Sequence, residues 1–245
     1  MRLFYFQQIN HPIKMKYKAI TVLIVLAFIS FSCSKSIEYS EEFKNQTSGK
    51  YLYNPDELIL VYYENNTLKL NWKGGEMVPV ALAENEFFVP DMYKKFHFVT
   101  HPETSKQYLS AINEETNEVA YHYLKVDDDY KTPSQYLEAG NYDKALEGFL
   151  EIKKQDSTSS YINEWHFNRM GYQHLNKKEY EKAIGVFQLN AKLHPDSNNV
   201  YDSLADAYLR SGDSLQAYNN YKIALDVNPR NSRAERYVKA YKAKH

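Results

Sequence analysis

The sequence predicts an α+β protein in which a small antiparallel β domain precedes an array of α-helical repeats. Between residues 47 and 126, short runs that alternate with a period of two residues are separated by turn residues. In the last third of the chain, small, aromatic and proline residues recur at a fixed spacing. The chain has 245 residues, of which 43% are hydrophobic and 25% charged, and is therefore long enough for two domains that each bury a core.

Charge and cysteine content exclude several classes of function. The formal net charge of −1 weighs against nucleic-acid binding, because phosphate contacts need a surplus of Lys and Arg. A single cysteine excludes an internal disulfide framework and a cysteine-based zinc site. Three of the eight histidines, His97, His101 and His122, could lie close together, but such residues more often belong to a sheet or its surface. We expect no bound metal.

Motifs for catalysis are also missing from the sequence. It contains no Gly-x-Ser-x-Gly elbow, no phosphate-binding glycine-rich loop and no His-Glu-x-x-His helix motif. We therefore predict that the protein is not an enzyme and needs no cofactor.

The N-terminus has the pattern of a secretory signal. Residues 19–31 are almost uninterruptedly apolar and follow Lys14, Lys16 and Lys18. As a helix this stretch would be about 20 Å long, too short for a hydrocarbon core of about 30 Å. The order of basic, apolar and small residues is typical of a signal peptide.

The segment that ends this stretch, Ile29-Ser-Phe-Ser-Cys33-Ser, resembles the lipobox of bacterial lipoproteins, although Ser30 stands where Leu is usual. The resemblance implies that residues 1–33 are a lipoprotein signal peptide and that Cys33 carries palmitate and related acyl chains. Residues 34–46 are then a polar tether, and the protein is lipid-anchored to a membrane of the bacterial cell envelope. The alternative is a plain signal peptide with an incidental cysteine.

Eight strands are predicted between residues 47 and 126. Paired residues that tolerate turns, such as Asn65-Asn66 and Gly74-Gly75, separate them, and the spacing predicts an antiparallel meander, barrel-like because it curls until its edges are closed or nearly closed. The predicted strands are Lys50–Tyr53, Glu57–Tyr63, Thr67–Trp72, Met77–Ala83, Glu86–Val89, Lys94–Thr100, Gln107–Ile112 and Glu118–Lys125.

Four short motifs in this region resemble an accessory β domain found C-terminal to β-lactamase-like serine hydrolases. They are Gly49-Lys-Tyr51, Asn66-Thr-Leu-Lys-Leu70, Glu84-Asn-Glu-Phe-Phe88 and Phe96-His-Phe98. In that family the hydrolase precedes this domain, whereas here only the tether separates it from Cys33. The resemblance implies a non-catalytic domain. It leaves open that the chain is an accessory subunit of a separately encoded serine hydrolase, or that the β domain binds a small ligand.

Four positions recur at one constant spacing in the last third of the chain. Small residues at the first two would let paired helices approach closely, an aromatic residue would fill the space between repeats, and proline would end the second helix. The pattern resembles the tetratricopeptide repeat, whose period is about 34 residues. The pairs are Gly171 and Ala205, Ala183 and Ala217, Phe187 and Tyr221, and Pro195 and Pro229.

The repeats are predicted to occupy residues 131–245. An earlier, degenerate copy has Ala145 further from Ala183 than one period, which predicts four inserted residues around 156–160. We expect this shortened hairpin to pack against the β domain. Ser232 and Glu235 have the form of a capping box and predict a last, capping helix to about Ala243.

The tetratricopeptide resemblance implies that first-helix side chains on the concave face bind a partner, another protein or peptide. It assigns this role to Trp165, Asn168, Tyr172, Leu175 and Asn176 in one repeat, and to Asn199, Asp202, Asp206, Leu209 and Arg210 in the next. Family members that grip a C-terminal carboxylate use Lys and Arg where this chain has Asn199 and Ser203, so an extended peptide or a partner helix is expected instead. The alternative is that this face packs on the protein's own β domain.

Overall fold

A computed structural model describes residues 37–116 and 118–244. The predicted signal peptide, the lipobox with Cys33 and the start of the predicted tether lie outside this range. The chain divides into a short unit that reaches Tyr39, whose described residues 37–39 have no regular secondary structure, and a compact unit from Ser40 onward. None of the helices in the described ranges is long and apolar enough to cross a bilayer.

Nine antiparallel strands form one sheet in the order β4-β3-β2-β1-β9-β8-β7-β6-β5. The sheet is a meander whose first strand lies in the middle, because Lys50 of β1 pairs with Val126 of β9. The strands are β1 (Gly49–Asn54), β2 (Glu57–Glu64), β3 (Thr67–Trp72), β4 (Gly75–Met77), β5 (Val80–Ala83), β6 (Glu86–Val89), β7 (Lys94–Thr100), β8 (Gln107–Ala111) and β9 (Tyr123–Val126).

The connection between β4 and β5 forces the sheet to curl. These two strands form opposite edges of the sheet, yet only Val78 and Pro79 join them. Three steps of about 3.8 Å between consecutive Cα atoms bring Met77 and Val80 within about 11 Å of each other. The edges therefore meet at this corner, although no hydrogen-bonded ladder joins β4 to β5 in the described sheet. The predicted curled antiparallel meander is confirmed.

Two predicted strands differ in the structure. The stretch Met77–Ala83, predicted as one strand, contains a break at Pro79, which has no amide to donate to a ladder. The predicted strand Glu118–Lys125 is shortened to β9. Before β9, the segment is held by side-chain bonds in place of a regular ladder: the Ala111 amide donates to His122 Nδ1, and Ser110 Oγ donates to the Ala120 carbonyl.

Part of the predicted tether is helical. Helix α1 (Glu41–Thr47) begins after Ser40, whose hydroxyl accepts a hydrogen bond from the Phe43 amide at 3.1 Å. Phe43 packs edge-on against Phe98 with ring centroids 5.9 Å apart, and Thr47 Oγ1 lies 2.8 Å from the Tyr63 hydroxyl. The polar composition concealed this one apolar contact, and the chain joins the β domain at Ser40.

The inner face of the sheet is filled by large side chains. The Tyr51 hydroxyl donates to the Thr47 carbonyl at 2.8 Å, and burial raises the pKa of this phenol. The curled sheet is thus closed around a packed core. The fully buried side chains are Tyr51, Ile59, Val61, Leu70, Phe87, Val89, Phe96 and Leu109.

Seven helices follow the sheet and repeat at the predicted spacing. The helices α4, α6 and α8 begin one repeat apart, at residues 164, 198 and 232, and α5 and α7 begin at 180 and 214. They are α2 (Pro133–Glu138), α3 (Tyr142–Gln155), α4 (Glu164–Asn176), α5 (Tyr180–Leu193), α6 (Asn198–Ser211), α7 (Ser214–Val227) and α8 (Ser232–Lys242). This period is that of the tetratricopeptide repeat, so the predicted repeat fold is confirmed.

Small residues allow the paired helices to touch. A Cβ atom added to Gly171 would lie 2.4 Å from the Phe187 ring, and Ala183 and Ala217 are completely buried. The helices α5 and α7 each end two residues before a proline, at Leu193 and Val227. The extra residues of the first hairpin lie between α3 and α4, where a short 3-10 helix covers Ser160–Ile162.

The last helix is capped differently from the prediction. The N-cap of α8 is Asn231, whose side-chain oxygen accepts a hydrogen bond from the Ala234 amide at 3.1 Å. The predicted capping box of Ser232 and Glu235 is wrong, because Asn231 begins the helix one residue earlier and Glu235 bonds to Lys239.

The turn between β1 and β2 holds the sheet and the helices together. At the start of α2, Asp56 accepts hydrogen bonds from the amide and the hydroxyl of Ser134, the first at 2.8 Å. The Tyr161 hydroxyl donates to Glu57 Oε1 at 2.7 Å and accepts from the Asn54 amide at 2.9 Å. The expectation that the shortened hairpin packs against the β domain is confirmed.

A buried-alanine substitution tests the repeat packing. Ala183→Leu should overpack the hairpin and lower the free energy of unfolding by about 1–3 kcal/mol. The same substitution at Ala240, which is exposed on α8, is the control and should change stability by less than about 0.5 kcal/mol. Equal melting temperatures for Ala183→Leu and Ala240→Leu would contradict the packing.

The joint at Glu57 should depend on pH. Burial acts to raise the pKa of Glu57, but hydrogen bonds from Lys73, Tyr161 and Asn54 outweigh it and lower the pKa on balance. The carboxylate therefore contributes stability above its unfolded pKa of about 4.3, and this contribution is lost as the pH falls through the lower folded pKa.

The free energies of unfolding in urea of the wild type and of Glu57→Gln should consequently differ most near neutral pH and converge as the pH falls below the lowered pKa of Glu57 in the folded state. Glu118→Gln, at an exposed loop residue with no described ion pair, is the matched control. A difference that persists unchanged at low pH would show that Glu57 acts by packing and not by charge.

Candidate functional site

The ten predicted partner-binding residues lie on α4 and α6, the first helices of two successive repeats, and differ widely in exposure. Four are exposed: Trp165, Asn176, Leu209 and Arg210. Three are half-buried, namely Tyr172, Asn199 and Asp202, and three are buried, namely Asn168, Leu175 and Asp206. We use the term groove for the surface formed side by side by α4 and α6, the first helices of two successive repeats.

Trp165 is an exposed aromatic ring on a rigidly held helix end. Its side chain is 66% exposed. The preceding residue, Glu164, is fixed twice: its carbonyl accepts from Asn190 Nδ2 at 3.1 Å, and its carboxylate accepts from Asn199 Nδ2 at 2.9 Å. Asn163 caps the same helix through the His166 amide at 3.1 Å. Because the backbone is already ordered, a partner that covers Trp165 loses little conformational entropy.

Asn168 lies one turn further along α4 and has a side-chain oxygen without a hydrogen-bond donor among the described residues. Its side-chain oxygen is buried and has no hydrogen-bond partner within the described parts of the chain. A buried polar atom left without a partner costs about 1–3 kcal/mol. Because this oxygen is closed off from solvent, it is not a contact point for a bound peptide in this structure.

Tyr172 and Leu175 contribute mainly to the core. The Tyr172 ring packs edge-on against Phe187 with centroids 5.2 Å apart. Leu175 is buried in the same cluster as Ala183 and Phe187. Leu175 is buried among these residues, and its contact with a partner stays a prediction. Tyr172 keeps one accessible edge.

The carboxylates of Asp202 and Asp206 already have partners within the chain. Arg233 of α8 lies 3.2 Å from Asp202 Oδ2 and 3.8 Å from Asp206 Oδ1. Arg210 lies 3.0 Å from Asp206 Oδ2. Asn231 also donates to Asp202 Oδ1 at 3.1 Å. These aspartates therefore attach α8 to the array, which the assignment of partner-binding positions did not anticipate.

Arg233 is a residue that sequence reasoning missed. Its Nε donates to the Tyr221 hydroxyl at 3.2 Å, and its guanidinium lies 5.7 Å from the centre of that ring. Burial acts to lower the pKa of Arg233, but Asp202 and Tyr221 raise it on balance, so the group stays charged. The sequence could have indicated Arg233, because it lies one repeat after Asn199, at a position that the repeat pattern assigns to partner binding.

The β domain leaves Trp165 uncovered. The hydrogen bonds between the sheet and the helices are at Asp56 with Ser134 and at Glu57 with Tyr161, before α4 begins. The alternative in which the protein's own β domain covers the whole concave face does not agree with the exposure of Trp165.

The three histidines considered as metal ligands have local structural partners. His122 Nδ1 lies 2.8 Å from Ser110 Oγ, and His101 Nδ1 accepts the amides of Glu103 and Thr104 at 3.2 and 3.3 Å. Burial lowers the pKa of His97. The described residues include no cluster of three or more side chains arranged to hold a metal ion.

Comparison with known proteins gives short or distant similarities. No family model matches the chain. Superkiller protein 3 of Schizosaccharomyces pombe is 37% identical over 65 residues, which is 26% of this chain and 5% of that protein. The chain thus spans about one-twentieth of the length of this relative.

Several solved structures are similar to the helical half at low scores. The first tetratricopeptide domain of human RPAP3 is 17% identical, with 45% of this chain and 84% of that chain covered and a TM-score of 0.32. MamA is 22% identical, with 46% and 64% covered and a TM-score of 0.32. The Yersinia enterocolitica chaperone SycD, solved with a peptide of the translocator YopD, is 17% identical, with 46% and 88% covered and a TM-score of 0.32. The repeat period and the pairing of the helices are features of this chain's own structure.

Alanine substitutions should separate the exposed ring from the core ring. Trp165→Ala should change the free energy of unfolding by less than about 0.5 kcal/mol, because the side chain is mostly in solvent. Tyr172→Ala should cost about 1–3 kcal/mol, because it removes the contact with Phe187. Thermal unfolding of both variants measures this, and a Trp165→Ala variant that unfolds as easily as Tyr172→Ala would place Trp165 in the core.

Proposed function

We propose that this chain is a non-catalytic scaffold of the bacterial cell envelope that holds another protein by an extended segment bound in the groove. The observation that carries the proposal is Trp165, a large apolar ring exposed on an immobilised helix end. Exposed aromatic anchors of this kind often contribute more than about 1 kcal/mol to an interface.

The groove suits an extended segment better than a flat protein surface. Trp165 is exposed on α4, and Leu209 is exposed on α6, the first helix of the next repeat. An extended segment that crosses from α4 to α6 can contact both residues, while Asp206 of α6 is already paired within the chain. A partner would therefore gain affinity from apolar side chains placed against these two residues.

Membrane attachment through Cys33 is part of the proposal. Its support is the sequence from Ile29 to Ser34, which resembles a lipobox after a short apolar run. Several acyl chains, each contributing about 0.8 kcal/mol per buried methylene, would hold the protein stably at a membrane surface. The scaffold would then keep its partner close to that membrane.

One observation favours a second function, as the accessory subunit of a separately encoded serine hydrolase. The edge strand β5 exposes apolar side chains, with Val80 53% and Leu82 47% exposed. An exposed apolar edge strand is a template for pairing with another chain. A photo-crosslinker at residue 82 would then trap a serine hydrolase, whereas a crosslinker at residue 165 would not.

Photo-crosslinking in cells tests groove binding. Benzoylphenylalanine at position 165 should form one dominant adduct with a partner protein. The same amino acid at Leu215, an exposed apolar residue of α7, is the matched control and should not form that adduct. The same adducts at both positions, or none at position 165, would rule out the groove as the binding surface.

A cysteine substitution tests the anchor. Cys33→Ser should abolish metabolic labelling with palmitate and release the protein from the membrane fraction. If the wild-type chain carries no label and the variant stays in the membrane fraction, the lipoprotein proposal is contradicted. The proposal of partner binding in the groove is independent of this result.

A further inference from the structure

The terminal helix α8 concentrates positive charge. The segment from residue 230 to residue 244 contains six Lys or Arg and one Glu, whereas the whole chain has 30 Lys and Arg against 31 Asp and Glu. The terminal helix of a repeat array needs a polar outer face for solubility, but a mixture of both signs would serve that purpose equally well. The surplus of one sign therefore indicates a partner of the opposite charge.

Most of these charges are not neutralised within the molecule. Arg233 pairs with Asp202 and Asp206, and Lys239 pairs with Glu235. The remaining four residues have no ion pair within the described parts of the chain, and all are exposed on the surface. They are Arg230, Arg236, Lys242 and Lys244.

The repeat places two of these residues in the row of the groove. By the repeat spacing, Arg236 and Lys244 correspond to Asp202 and Arg210 one repeat earlier; Arg236 lies on α8, and Lys244 lies two residues beyond its end. The contacts of Arg233 with the aspartates of α6 show that this side of α8 adjoins the groove. Arg236 lies one helical turn after Arg233, on the same side.

We propose that the groove extends onto α8 and that this end binds the acidic residues of the partner's segment. This inference rests on the proposed function and adds the chemistry of the partner. Packed helices lie about 8–10 Å apart, so α4 and α8 are separated by about 20 Å, which an extended chain spans with about six residues. The bound segment therefore has an apolar or aromatic residue at Trp165 and, about six residues away, two or more Asp or Glu.

The paired aspartates make this arrangement specific. Asp202 and Asp206 lie between the two ends of the groove, and Arg210 and Arg233 neutralise them. An acidic segment therefore crosses α6 without strong repulsion and meets the unpaired cations Arg236 and Lys244 at the far end. A basic segment would gain nothing from α6 and would be repelled by α8.

Peptide selection tests the proposal: a random dodecapeptide display library is selected against the full chain in detergent. Wild-type protein should enrich peptides that carry an apolar or aromatic residue and an acidic pair about six residues apart. The double variant Arg236→Glu, Lys244→Glu should lose the acidic preference, and the selected acidic peptides should bind it at least about tenfold more weakly at low salt. The double variant Lys94→Glu, Lys192→Glu makes the same change of charge at exposed residues away from α8 and should keep the preference.

The outcomes separate the two proposals. If apolar peptides are enriched without acidic residues, or if the acidic preference survives charge reversal at α8, this inference is overturned while groove binding stands. If no peptide is enriched, or if Trp165→Ala selects the same peptides as the wild type, the groove proposal fails. A membrane is the other possible partner of α8, and it is tested with vesicles made of equal parts phosphatidylglycerol and phosphatidylcholine. If the chain binds these vesicles, loses that binding on charge reversal and selects no acidic peptides, α8 contacts a membrane and the inference is overturned. The milder variant Arg236→Gln, Lys244→Gln gives the same comparison if charge reversal prevents folding.

Discussion

Asp56 accepts two hydrogen bonds from Ser134 at the first turn of α2, and the arrangement of sheet and helices depends on this contact. The helix α2 has only six residues, whereas the corresponding helices α4 and α6 have 13 and 14. A helix this short is unstable alone and cannot begin a repeat stack. The β1–β2 turn compensates, because Asp56 binds Ser134 in the first turn of α2, in addition to the helix's own N-cap at Thr132, while Glu57 holds the loop before α4 through Tyr161. Burial raises the pKa of Asp56, although the hydrogen bonds from Ser134 act against this.

The first and last helices of the array are attached by different contacts. At the first end, α2 is bound to the β domain through Ser134 and Asp56, and Trp165 on α4 is exposed. At the other end, α8 is attached through Arg233 to Asp202 and Asp206. The ion pairs that fix the terminal helix thus remove the two aspartates from the set of groups that a partner can use. Structural and binding demands compete for the same residues.

Helices and strands that follow a regular residue spacing could be predicted from the sequence. Elements whose position depends on individual contacts could not. Helix starts at residues 164, 198 and 232 follow from a spacing that each repeat must keep in order to pack on its neighbour. Strands such as Thr67–Trp72 follow from alternation. By contrast, α1 is held to the sheet by individual contacts of Phe43 with Phe98 and of Thr47 with Tyr63, and the division of the predicted strand Met77–Ala83 depends on Pro79. Position in the repeat identified Trp165 as exposed, but it did not show that Leu175 is buried or that Asp202 is paired, because both depend on neighbours distant in sequence.

The pairing of β1 with β9 has a consequence for how the chain folds. Strands β1 to β4 and β5 to β9 are two local meanders, each able to form from near neighbours in sequence, but the ladder that joins them pairs Lys50 with Val126. Closing so long a loop carries an entropic penalty before any contact compensates for it, so this central ladder is the slow step of the β domain. During synthesis, β1 leaves the ribosome early and must keep one edge unpaired until β9 follows. The helices that dock on the β1–β2 turn are made later still, so the sheet can close before the first repeat begins to form.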